Sequence, residues 1–70
     1  MTNIRKRSVD VAGHRTSVSI EKPFWEALHN IALRKKTSVS ELIARIDRER
    51  NGNLSSAIRL YVLKDAQDRT

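Results

Sequence analysis

Polar and apolar residues alternate from Arg15 to Glu21, with Thr16, Val18 and Ile20 on one side of an extended chain and Arg15, Ser17, Ser19 and Glu21 on the other. This predicts a short, half-buried strand over 15–21. Ser8, Val9, Asp10 and Val11 alternate too, and Ala12-Gly13 can turn the chain, so a hairpin from about Arg7 to Ile20 is the alternative to a lone strand. The period then changes. Pro23 suits the first turn of a helix, and Phe24, Leu28, Ile31 and Ala32 follow at helical spacing, predicting a first helix over 23–36. Ser38 precedes Glu41 at capping-box spacing, and Val39, Leu42, Ile43 and Ile46 form the stripe of a second helix over 39–50. After Asn51-Gly52, either Asn53 or Ser55 can cap a third helix over 54–66 carrying Leu54, Ala57, Ile58, Leu60, Tyr61, Val62 and Leu63.

Residues 1–7 show no period and include Arg5, Lys6 and Arg7 in a row, which reads as a flexible basic arm ahead of one domain over 8–70. The apolar residues of the third helix cover more than one face, and a lone strand leaves its backbone groups without a ladder. Both call for a second copy of the chain. The dimer core expected from the pattern is Val18, Ile20, Phe24, Leu28, Leu42, Ile43, Ile46, Ile58, Tyr61 and Val62, with Trp25 covering the strand base or the dimer seam.

Length supports the same expectation. Seventy residues, 39% of them apolar, supply one small core, and a monomer of this size buries only about 60% of the surface its unfolded chain exposes. There is no cysteine to staple it or to build a thiolate metal site. No apolar run approaches the roughly 20 residues that cross a bilayer, and residues 1–7 lead into no signal-peptide core. A cytoplasmic, nucleoid-associated protein with no membrane contact is expected.

Chemistry is sparse. His14 and His29 lie in different elements without metal-ligand spacing, no serine sits in G-x-S-x-G, and two glycines are too few for a phosphate-cradling loop. Asp47 and Glu49 read as a solvated helix surface. No cofactor, no metal and no enzymatic activity are expected. The remaining signal is charge: 14 Lys and Arg against 8 Asp and Glu give +6, a balance suited to polyanions. The outward strand row Arg15, Ser17 and Ser19 carries donors suited to base edges, and a two-stranded ribbon fits the major groove of B-DNA. Ser38 and Ser40 at the start of the second helix, with Arg34, Lys35 and Lys36 nearby, suit phosphate oxygens, and Arg5, Lys6 and Arg7 can follow the backbone. Arg45, Arg48, Arg50, Arg59, Lys64 and Arg69 are interspersed with acids and read as solubility or pairing residues. A single tyrosine, phenylalanine and tryptophan do not make a single-strand stacking platform.

These segments resemble the ribbon-helix-helix family of bacterial DNA-binding proteins: RTSVSIE at 15–21, FWEALHNIA at 24–32 and KTSVSELIARI at 36–46. AGHRTS at 12–17 and NLSSAIRLYVL at 53–63 further resemble a small proteobacterial subgroup with an added C-terminal helical segment. The resemblance implies a mainly α fold with an N-terminal strand paired antiparallel across a homodimer. It also implies base contacts from Arg15, Ser17 and Ser19, and phosphate contacts from Ser38, Val39 and Ser40. Many relatives carry glycine in the turn where this chain has Lys36-Thr37. The expected function is sequence-specific double-stranded DNA binding as a dimeric transcriptional regulator, a repressor. The alternatives are a DNA-binding adaptor or antitoxin-like protein holding a protein partner through the C-terminal helix, and a non-specific nucleoid-associated protein.

Overall fold

Ala12 and Gly13 take the left-handed backbone, with φ of 51° and 84°. A two-residue loop with both residues at positive φ is the type I′ turn, whose twist matches that of the flanking strands. It joins β1 (Ile4–Val11) to β2 (His14–Glu21) in an antiparallel hairpin whose register runs from Val11 opposite His14 to Ile4 opposite Glu21. The computed structural model describes residues 4–50 and 52–69. Of the two readings of the N-terminal segment, the hairpin is therefore the one formed: the ladder partner of β2 is β1 of the same chain, reached across a loop whose closure costs little entropy. β1 starts at Ile4, so Arg5, Lys6 and Arg7, expected in a flexible arm, are strand residues. The rest of that arm, residues 1–3, lies outside the described residues.

The hairpin is dry on one face only. Val9, Val11, Val18 and Ile20 are buried, while the alternate positions face out, as a half-buried antiparallel pair requires. α1 (Lys22–Arg34) follows β2 directly, with Pro23 in its first turn. It ends two residues earlier than the apolar period suggests, because Lys36 adopts φ 56°. The Lys36 N–H reaches Leu33 O at 3.1 Å and that of Thr37 reaches Ala32 O at 2.9 Å, closing the helix in a Schellman motif. α2 (Val39–Glu49) is capped by Ser38 Oγ, which accepts the Glu41 N–H at 3.0 Å. The Glu41 carboxylate accepts the Thr37 hydroxyl at 3.1 Å. α3 (Leu54–Asp68) is capped by Asn53, whose Oδ1 accepts the Ser56 N–H at 2.8 Å. It runs two residues beyond its expected end.

Ile20, Leu28, Ile43 and Ile58 have no exposed surface. Of the residues expected in the core, Val18, Leu42, Ile46 and Val62 are also buried within the single chain, and Phe24 and Tyr61 pack half-buried against them. Val9 and Val11 join them because the hairpin forms. α3 packs on α1, α2 and β2, so the third helix closes the side of the domain beside the ribbon.

Candidate nucleic-acid interface

Strand alternation and register place Lys6 opposite Ser19, Ser8 opposite Ser17 and Asp10 opposite Arg15 on the outward face of the ribbon. All six are exposed. The three residues expected to meet bases, Arg15, Ser17 and Ser19, thus lie in one row, and β1 supplies a second row that the strand pattern alone does not contain. Arg15 is not unpaired. Its Nε lies 3.3 Å from Asp10 Oδ1, with both side chains more than 60% exposed, so the pair is weak and open to exchange.

Ser19 is held from the other side. Its N–H donates to Ser55 Oγ at 3.0 Å and its carbonyl accepts Arg59 Nη2 at 2.9 Å, so α3 covers the outer edge of β2 there. Arg59 also donates through Nε to Glu21 Oε1 at 2.8 Å. This hydrogen bond, aided by a backbone donor, lowers the Glu21 pKa, with burial opposing it. Arg59 is therefore a seam residue, and Ser55 bridges to β2 while Asn53 caps. Glu21 and Arg59 stand 38 residues apart, and no local period connects them. The alternating signs along the third helix gave only the general indication that such cations pair.

The set expected to face phosphate is divided. Ser38 Oγ is committed to its cap, and Ser40 Oγ donates to the carbonyl of Asp10 at the edge of β1. Both hydroxyls serve the fold, and Val39 is half-buried between them. Arg34 pairs with Asp65 on α3 at 2.8 Å, and Arg69 meets the same carboxylate at 3.3 Å. Lys35 and Lys36 remain exposed at the turn beyond α1. Arg5 and Arg7 lie at the open end of the ribbon, where the Arg7 guanidinium sits 5.0 Å from the centroid of the Trp25 ring. Trp25 meets His29 edge-on with centroids 4.7 Å apart. Trp25 therefore covers the ribbon base, one of its two expected places. Among the described residues no group of three His, Cys, Asp or Glu could hold a metal ion, and no helix is long and apolar enough to cross a membrane.

A two-stranded ribbon with a polar outer face, followed by two helices and a third across its edge, is the ribbon-helix-helix arrangement. The family model described as a ribbon-helix-helix domain matches residues 4–66, and the chain belongs to that family. Among solved structures it is similar to an uncharacterized protein from Bordetella pertussis Tohama I. The TM-score is 0.76 and the identity 31%, over 97% of this chain and 62% of that one. The chain thus spans less than two thirds of the length of that relative. No curated protein matches it.

Proposed function

We propose that the protein is a sequence-specific double-stranded DNA-binding regulator, a repressor that acts as a homodimer and lays its ribbon in the major groove. The observation that carries this reading is the ribbon itself: Lys6, Ser8, Arg15, Ser17 and Ser19 stand out from a pair of strands anchored from behind by Val9, Val11, Val18 and Ile20. Its width suits the groove, and Arg15 suits the paired acceptors of guanine. The exposed Leu60 and Leu63 on α3 support a partner surface for the second copy. The third helix, α3, supports placement in the subgroup that carries an added C-terminal helical segment. The reading assigns no reaction and no cofactor, and it places the protein in the cytoplasm on the nucleoid.

The test is a gel-shift titration on the protein's own upstream DNA and on a scrambled duplex of equal composition, with excess competitor. A discrete complex on the upstream DNA that Arg15→Ala weakens by about 1–3 kcal/mol, with little loss on scrambled DNA, is the expected result. Equal binding to both duplexes favours the architectural role. A second reading rests on the same two leucines: as an adaptor, the protein holds another protein through α3, and Leu60→Asp abolishes that capture while DNA binding persists.

A further inference from the structure

We infer that the cleft between the open end of the ribbon and the start of α1 is a phosphate-binding site. The inference rests on the DNA-binding reading for its natural ligand, the duplex backbone, and gives the grip a place in the fold. Arg5, Arg7, Lys22, Trp25 and Glu26 line a cleft of about 210 Å³. Three cations face one carboxylate. Glu26 Oε2 lies 4.0 Å from Lys22 Nζ, with both side chains more than 60% exposed, too loose a pair to keep Lys22 from a phosphate oxygen. Arg7 is held by the face of Trp25, and its Nε is buried with no hydrogen-bond partner among the described residues. A buried donor without an acceptor is unfavourable, and among such cations the acceptor that charge selects is an anionic oxygen.

The start of α1 adds to this field. Lys22 is its first residue, its first turn holds no acid, and its N-cap, Glu21, makes no capping hydrogen bond because the carboxylate is engaged by Arg59. The positive end of the helix dipole therefore reinforces the three side-chain cations. At the start of α2 both serine hydroxyls are engaged within the chain, and the first turn carries Glu41.

The experiment measures duplex affinity against salt for the full chain and for Arg5→Gln, Lys22→Gln and Glu26→Gln, after thermal melts confirm that each variant folds. Inorganic phosphate is titrated in parallel at constant ionic strength while the emission of Trp25, the single tryptophan, is recorded. Expected is a slope of log K against log salt shallower by about 0.9 for each lost cation, equal losses on preferred and scrambled DNA, and tighter binding to both by Glu26→Gln. Unchanged slopes with duplex still bound overturn the site. If the parent protein binds no duplex, the DNA-binding reading fails, and the phosphate titration decides the site alone. A saturable change in emission that Lys22→Gln abolishes keeps the site, with free phosphate compounds as its ligands; no change overturns it.

Discussion

Lys36 lies in the turn where the family resemblance leads to an expectation of glycine, and its φ of 56° is in the left-handed region that glycine adopts without strain. A side chain in the left-handed region crowds its own carbonyl, at a cost of about 1 kcal/mol. Lys36→Gly is expected to raise stability by about that amount, read as a higher urea midpoint with an unchanged m-value. The departure was visible in the sequence as a missing glycine; that Lys36, rather than Lys35 or Thr37, carries the strain comes from the hydrogen bonds of Leu33 and Ala32. Asp10 is the other residue that the strand pattern left unweighed. It sits across from Arg15 and places a carboxylate among the donors proposed to meet DNA. Asp10→Asn releases Arg15 and removes that repulsion, so duplex affinity should rise roughly fivefold, equivalent to about 1 kcal/mol. A drop in affinity in a fluorescence anisotropy titration would show instead that Asp10 orients Arg15.

At the scale of elements, the three helices and β2 were legible because each repeats one period over many residues. β1 was only half legible. Ser8 to Val11 alternate clearly, but Arg5 and Arg7 stand on the inward-facing parity at the strand start, where charge hides the period. Arg7 stays there with its guanidinium against the Trp25 ring, while Arg5 is exposed. The α3–β2 seam was not legible, since it joins residues far apart in sequence through hydrogen bonds rather than apolar phase. It should report on pH. Arg59 holds Glu21 below its ordinary value of 4.5, so the stabilisation is complete above that pH and is lost as the pH falls through the lower folded value. Glu21→Gln should flatten the acid limb of the stability curve as the pH falls below the ordinary carboxylate value of 4.5, measured by chemical denaturation. An acid limb identical to that of the parent would remove Glu21 from the account.

For the whole molecule, the residues expected in a dimer core are buried or half-buried within one chain, with β1 and α3 supplying the cover. What stays outside is Leu60, Leu63, Leu33 and Ile4, between 50% and 79% exposed. Self-association through α3 is therefore expected to be separable from folding. Leu60→Asp should shift sedimentation from dimer to monomer while the melting transition stays cooperative; loss of folding together with assembly would mean that the dimer and the fold are one unit. The ribbon has a further consequence. Two identical strands related by a dyad present the same text from either end, but here one rail carries Lys6, Ser8 and Asp10 and the other Ser19, Ser17 and Arg15. The message that such a ribbon reads has a polarity, so each recognition element should have a distinct left and right, and inverting one element within its operator should silence it although every base pair is retained.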